Sequence, residues 1–388
     1  MFVTLLIFLA VLSVLVLVHE LGHFLTARRF GIRGEEFGLG FPPRFLGLYK
    51  DFEGKWKVVH GNKPIDPSTY PTTIYSLNYF PLGGFVKIKG ENGENVDKDS
   101  FVNKPIWQRA VVLSAGVSMN LVLAAFLFTV CFMVGTAQSL ENVDPSATIT
   151  ERHLSIIEVQ KDSPAEKSGI KAGDTLLTID KHEFVDYEGL KGYTNKNANK
   201  ELTYVVKRGN EIKDFKITPR ASANNKNEVV AGIGVAEIGI VKYSWYEAPW
   251  QGIKQTAFAT WAILLAFGGM IKGIFMGHGV SADVAGPVGI AALTGQVARM
   301  GFVYLMQFTA LLSINLAIIN FLPLPALDGG RVLFLGIEKI KGRPVKTEIE
   351  TIIHTIGFAL LMLLVIVVTF KDIFKFSDKF VAIWQRFF

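Results

Sequence analysis

Four long stretches of this 388-residue chain, 2–18, 110–137, 302–322 and 352–370, contain no Asp, Glu, Lys or Arg, and nothing in the sequence constrains the fold more. Crossing the hydrocarbon of a bilayer takes roughly 20 mostly apolar residues, and only a helix or a closed barrel satisfies every backbone polar group there. Each stretch is therefore expected to be a transmembrane helix. Composition agrees: half of the residues are hydrophobic and 19% are charged. The formal charge of +6 comes with no basic cluster interleaved with aromatics, so nucleic acid is not expected as a partner. The lone Cys131 falls inside an apolar run and reads as a small core residue with no intrachain disulfide available to it.

Loop charges orient the helices. Arg28, Arg29 and Arg33 follow the first stretch, Lys104 and Arg109 precede the second, and Lys339, Lys341, Arg343 and Lys346 separate the third from the fourth. Those loops are expected on the cytoplasmic side. Both termini and the large segment between the second and third spans are then expected outside, against the pull of Lys371, Lys375, Lys379 and Arg386 in the tail. A fifth stretch, 256–271, is shorter, is bounded by Lys254 and Lys272, and follows Trp245, Tyr246 and Trp250. It is expected to lie at the interface, although a fifth crossing is the alternative.

The chemistry begins at the end of the first span, with His19-Glu20-Leu21-Gly22-His23. Residues four apart share one helix face, so two imidazoles there can grip one metal while Glu20 handles a proton beside it. An ionisable trio inside an apolar helix costs free energy and marks a functional site. Catalytic zinc needs a third protein ligand. The candidate is Asp328, in the run from Asn320 to Gly330 that closes the third span. With four spans the first and third helices run the same way and their ends meet. Pro323 and Pro325 break the helix there, and Gly329 and Gly330 are expected to permit a tight turn that aims the carboxylate. A plain helix-ending Asp is the alternative for Asp328 taken without the histidines. Among the other histidines, His60, His153, His182, His278 and His354 have no spaced partner and are not expected to be ligands.

HELGH in the first span together with Asn320 to Gly330 resembles the site-2 protease family of intramembrane zinc metalloproteases, in its bacterial branch that cleaves anti-sigma factors and remnant signal peptides. Further segments carry the likeness: Phe37-Gly38-Leu39-Gly40-Phe41-Pro42, Tyr79-Phe80-Pro81-Leu82-Gly83-Gly84-Phe85-Val86-Lys87, and Gly286-Pro287-Val288-Gly289-Ile290. The resemblance implies Zn2+ held by His19, His23 and Asp328, with Glu20 as the catalytic base. It also implies a membrane-associated β-hairpin in which Gly83, Gly84, Phe85, Val86 and Lys87 bind an unwound substrate strand, and a substrate contact for Asn320. Read without it, Gly83 and Gly84 are a turn between two short strands, and Asn320 is an amide satisfied inside the bundle. A zinc-holding receptor without turnover and a metal transporter are the rival classes; the first would lack Glu20, and the second would need further ligands in other spans.

Residues 154–220 read as a small soluble domain. Strand character falls on 156–159, 175–180 and 202–208, and Ser163-Pro164 opens a capped helical turn ended by Gly169. The series resembles a PDZ domain and is expected to limit access to the membrane site. The fold expected is thus a polytopic α-helical membrane protein of four spans, with a membrane-associated β-hairpin and an inserted extracytoplasmic α/β PDZ-like domain. Its parts are an N-terminal membrane half 1–137, a linker 138–153, the PDZ-like domain 154–220, a linker with an interfacial amphipathic helix 221–300, and a C-terminal membrane half 301–388. The resemblance implies a bacterial cytoplasmic membrane, single-span membrane proteins as substrates, the lipid bilayer as surroundings and a first-cutting site-1 protease upstream.

Overall fold

All four uncharged runs fold as helices; the first and last extend past the limits hydropathy gives them, the second starts earlier and ends sooner, and the third keeps its limits to within one residue. The computed structural model describes residues 2–61, 72–91, 97–141, 143–209, 211–221, 229–276 and 285–375. Helix α1 (Phe2–Arg29) leads into strands β1 (Gly34–Lys50), β2 (Trp56–His60) and β3 (Ile74–Ile88), then helix α2 (Ile106–Val134). Next come β4 (Thr136–Ser139), β5 (Thr148–Val159), α3 (Pro164–Ser168), β6 (Thr175–Ile179), β7 (His182–Glu183), α4 (Tyr187–Lys196), β8 (Leu202–Arg208), β9 (Glu211–Ile217), β10 (Arg220–Ala221), β11 (Val229–Val230) and β12 (Ile233–Lys242). The chain closes with α5 (Ala248–Phe275), α6 (Pro287–Met300), α7 (Phe302–Phe321), α8 (Asp328–Lys341) and α9 (Thr347–Lys375). Two units result, Val130–Ala248 and the remainder.

In the larger unit α1 and α2 run antiparallel and meet where glycines let them. A Cβ at Gly22 would stand 2.4 Å from the Ala115 carbonyl oxygen, so only glycine permits this approach. Among the described residues five helices are long and apolar enough to cross a membrane: α1, α2, Ala248–Gly273 of α5, α7 and α9. Four were expected. The shortness ascribed to 256–271 is corrected, because α5 starts at Ala248 and runs through both Lys254 and Lys272; a single Lys can lay its stem along an apolar surface and does not end a helix.

The expected hairpin at Tyr79–Lys87 is also corrected. Its two limbs do not pair with each other: Glu36, Phe37, Gly38 and Leu39 of β1 pair on one side with Lys87, Val86, Phe85 and Gly84, and on the other with Ile74, Tyr75, Ser76 and Leu77. The same 74–77 limb meets Leu46, Gly47 and Leu48, and β2 closes the far side. Gly83 and Gly84 serve a close approach. A Cβ on Gly83, whose φ is +68°, would meet Val16 at 2.8 Å, and one on Gly84 would meet Leu17 at 3.0 Å. The Gly83 N–H donates to Ser13 Oγ at 3.2 Å, which pins β3 to α1 just before His19.

The smaller unit is an antiparallel sheet in the order β4-β12-β5-β6-β8-β9, with β7 beside β6. The strands expected at 156–159, 175–180 and 202–208 are β5, β6 and β8, and Ser163 caps α3 by accepting from the Glu166 N–H at 3.1 Å. The segments expected as linkers supply strands: β4 and half of β5 lie before 154, and β12 lies after 220 and pairs with both. Leu202, Tyr204 and Val206 alternate inward along β8 and join Leu154, Ile156, Ile179 and Ile217 in a core where each buried side chain contributes about 1.5–3 kcal/mol. Most of the polar stretch 221–227, His278, and the tail from 376 with Lys379 and Arg386 lie outside the described residues.

Candidate metal centre

His19 and His23 point from one face of α1 toward α2 and α8. His19 Nε2 and His23 Nε2 are 3.2 Å apart, and Asp328 Oδ2 lies 3.0 Å from the first and 3.3 Å from the second. Both histidines are 6% exposed, while the Asp328 side chain keeps 22% of its surface exposed. Asp328 Oδ2 is buried and makes no aligned hydrogen bond among the described residues. Three acceptor atoms packed this closely repel unless a cation sits among them. Zinc bonds of about 2.0–2.1 Å in a tetrahedral shell separate neighbouring ligand atoms by about 3.3 Å, close to the spacing seen.

Space and outer hydrogen bonds fit the same ion. A Cβ at Gly116 of α2 would fall 2.3 Å from His23 Nε2 and 2.8 Å from His19 Nε2, so glycine keeps that face of the trio open. His23 Nδ1 lies 2.8 Å from the Val112 carbonyl oxygen and donates to it, which leaves Nε2 for a metal. The Asn120 amide stands 3.3 Å from His19 Nδ1, and its Oδ1 is buried and otherwise unsatisfied. With Nδ1 protonated, the amide orientation that accepts this proton on Oδ1 satisfies both groups. Ser313 of α7 donates to the Asn120 carbonyl at 2.7 Å and ties the third helix to the pair. Asn120 and Gly116 are absent from the sequence reading; the signal was there, since an amide inside a long uncharged helix is costly unless used.

Asp328 reaches the histidines because the chain folds sharply back at the end of α7. The glycines that follow it are helical, in the first turn of α8, and the tight turn expected of them is corrected. Their role is proximity: a Cβ on Gly329 would stand 2.3 Å from the carbonyl oxygens of Phe321 and Leu322, and one on Gly330 2.3 Å from that of Leu324. The bend itself lies earlier, at Ala326, whose φ is +75°. Arg109 grips Glu338 through two hydrogen bonds, at 3.1 and 2.5 Å, and holds α8 to the start of α2.

Glu20 follows His19 on α1, half-buried, and within electrostatic reach of His23, His19 and Asp328. Asn320 Nδ2 is 3.5 Å from His19 Nε2, at the edge of the trio. Gly83 and Gly84 lie against Val16 and Leu17, one turn before His19, with Phe85 beside Gly38, Val86 packed on the core under α8, and Lys87 paired with Glu35 at 2.9 Å. Among the described residues His19, His23 and Asp328 form the metal-competent cluster. His60, His153 and His182 stand apart from it.

The model of peptidase family M50 matches residues 7–60 and 55–364 of this chain. A relative from Clostridium acetobutylicum is 34% identical over 361 residues, covering 93% of this chain and 94% of its own. The zinc metalloprotease RasP of Oceanobacillus iheyensis is 30% identical, with 94% and 97% covered, and the regulator of sigma-W protease RasP of Bacillus subtilis is 29% identical, with 95% and 98% covered. Among solved structures, a PDZ domain of an SdrC-like protein from Listeria monocytogenes matches 23% of this chain and 92% of its own, at 19% identity and a TM-score of 0.21. Zinc is the cofactor that these relatives and the site's geometry have in common, and the protein is a multi-pass membrane metalloprotease. The chain belongs to peptidase family M50.

Proposed function

We propose that the protein carries out regulated intramembrane proteolysis: it cuts single-span membrane proteins, such as anti-sigma factors and remnant signal peptides, after a first protease has trimmed them. The observation that carries this reading is the convergence of His19, His23 and Asp328 beside Glu20, at the ends of helices apolar enough to lie in a bilayer. The name of the Bacillus subtilis relative, a regulator of sigma-W, supports the substrate class. His19, His23 and Asp328 hold the zinc. When bound, zinc polarises the scissile carbonyl and acidifies water. Glu20 takes the proton from the attacking water and returns it to the leaving amine. Asn320, at the edge of the trio, holds the substrate backbone.

A peptide bond within a helix hides its carbonyl in an intrahelical hydrogen bond, so substrate must be unwound first. Supporting this step, the 84–87 limb pairs with β1 and runs next to α1, a turn before His19. Strand addition there would replace the helical hydrogen bonds with sheet bonds.

Four spans with α5 at the interface is the topology we favour, and the direction of the helices supports it. α2 runs opposite to α1, whereas α6, which leads directly into α7, packs at Gly295 against Thr4, and α7 ends near His19. An even number of crossings must therefore separate α2 from α7. If α5 crossed, a second segment would have to return, and α6, 14 residues or about 21 Å long, falls short of the roughly 30 Å needed. The start of α5 packs at Gly252 against Ala125, in the C-terminal half of α2, and the start of α6 packs at Gly286 against Val368, in the C-terminal half of α9, which supports both helices starting at the side away from the metal site. Together with the loop charges, these contacts support the orientation we propose, with the metal site toward the cytoplasm and both termini outside the bacterial cytoplasmic membrane. The unit 130–248, PDZ-like in its central strands, is extracytoplasmic and excludes substrates that still carry folded ectodomains.

Co-expression with a panel of single-span membrane proteins tests the reading. Cleavage seen with the parent and absent with Glu20→Gln is expected; no cleavage of any trimmed single-span protein would contradict it.

A further inference from the structure

His354, on the first turns of α9, belongs to no ligand set, yet it holds the turn that carries Asp328. Its Nδ1 accepts the Ala326 N–H at 2.8 Å, so the ring is protonated on Nε2. Nε2 is buried, makes no hydrogen bond among the described residues, and lies 4.0 Å from Glu350 Oε1, one turn earlier. The ring is steadied by Phe334 of α8, centroid to centroid 5.5 Å.

Ala326 is the residue with the unusual backbone. Its φ of +75° lies in the left-handed region, which a side chain disfavours, and the conformation persists only where its surroundings enforce it. The enforcement comes from α9. Three residues beyond His354 and on the same face, Gly357 touches the turn so closely that a Cβ there would stand 2.3 Å from Pro325 Cβ. From Ala326 the chain needs two residues to reach Asp328, whose carboxylate must meet two imidazoles at 3.0 and 3.3 Å.

We infer that His354 is a positioning residue for zinc binding: by accepting the Ala326 N–H it fixes the strained turn that presents the Asp328 carboxylate. This rests on the reading of Asp328 as a ligand. Losing an outer partner of a ligand typically costs 10–100-fold in metal affinity.

The test compares variants of the full chain in detergent or lipid discs, reading zinc loss to a chelator and, on zinc-stripped protein, amide exchange at Ala326. His354→Leu and His354→Gln should release zinc about 10–100-fold faster and exchange Ala326 faster than the parent. His354→Asn sets an amide oxygen where Nδ1 stood, and should restore both toward the parent. If Leu, Gln and Asn at 354 behave alike, or if His354→Leu holds zinc as the parent does while Asp328→Ala loses it, the inference is overturned and the ligand reading stands. If Asp328→Ala itself keeps parental affinity, the ligand reading fails first. Should His354→Leu not fold, the Gln and Asn pair decides.

Discussion

Two carboxylates mark the difference between the two units. Asp174 is 1% exposed and fully engaged: Arg208 reaches both its oxygens at 2.6 Å, and the Lys171 N–H donates at 2.9 Å. Asp328 is as shielded on Oδ2, yet that oxygen faces two imidazole nitrogens without an aligned hydrogen bond. A buried charge with its partners in place holds a fold together; one left facing other acceptors needs a cation. The comparison separates architecture from chemistry more sharply than burial does.

The comparison breaks first at Asp328. Asp328→Ala should abolish cleavage and weaken zinc binding by more than the roughly 100-fold expected for an outer contact, measured by metal analysis after dialysis against a graded chelator; parental zinc content would make Asp328 a second structural carboxylate. Asn120→Leu comes next. It leaves the ligands in place but takes the acceptor from His19 Nδ1, and should speed zinc loss about 10–100-fold with little change in the smaller unit.

Asp174→Asn should do the reverse. Zinc affinity should not change, while opening of the smaller unit, followed by amide exchange in β6 and β8, should become easier by about 1.5–3 kcal/mol, the worth of a hydrogen bond to a charged group. The smallest effect is in pH. The hydrogen bonds from Arg208 hold the Asp174 carboxyl below the usual carboxylate range, despite its burial. Since the folded state binds the proton less tightly than the unfolded one, this stabilisation is complete above the ordinary carboxylate value near 3.9 and is lost as pH falls through the lower folded value. A protection factor in β8, taken relative to the intrinsic exchange rate at each pH, that rose on acidification would contradict the sign.

Much of this contrast was legible in the sequence, and the misses share a cause. Local patterns gave the long apolar helices, the paired histidines one turn apart, and β5, β6 and β8, because hydropathy and i, i+4 spacing are properties of contiguous residues. Long-range pairing is not. β12 joins β5 across more than seventy residues, Glu36 to Leu39 of β1 sit between two limbs of β3, and nothing local in either segment announces its neighbour. Asn120 and His354 were passed over for a related reason: Asn120 meets His19 and His354 meets Ala326, each from another helix, and a lone polar residue in an apolar run shows that it needs a partner without saying which. Lys254 misled because a charge was taken as a helix boundary, where the helix only turns that side chain outward.

The mechanism proposed sets two zinc ligands and a separate base on neighbouring turns of α1, with Asp328 of α8 as the third ligand. Glu20→Gln in the purified full chain tests it most directly, because glutamine nearly matches glutamate in shape and Glu20 is not one of the clustered ligand atoms. Zinc content should equal the parent's, while cleavage of a model transmembrane peptide should fall by about 10² to 10⁴. Parental cleavage at full zinc occupancy would show that another group moves the proton, and the mechanism built on Glu20 would be wrong.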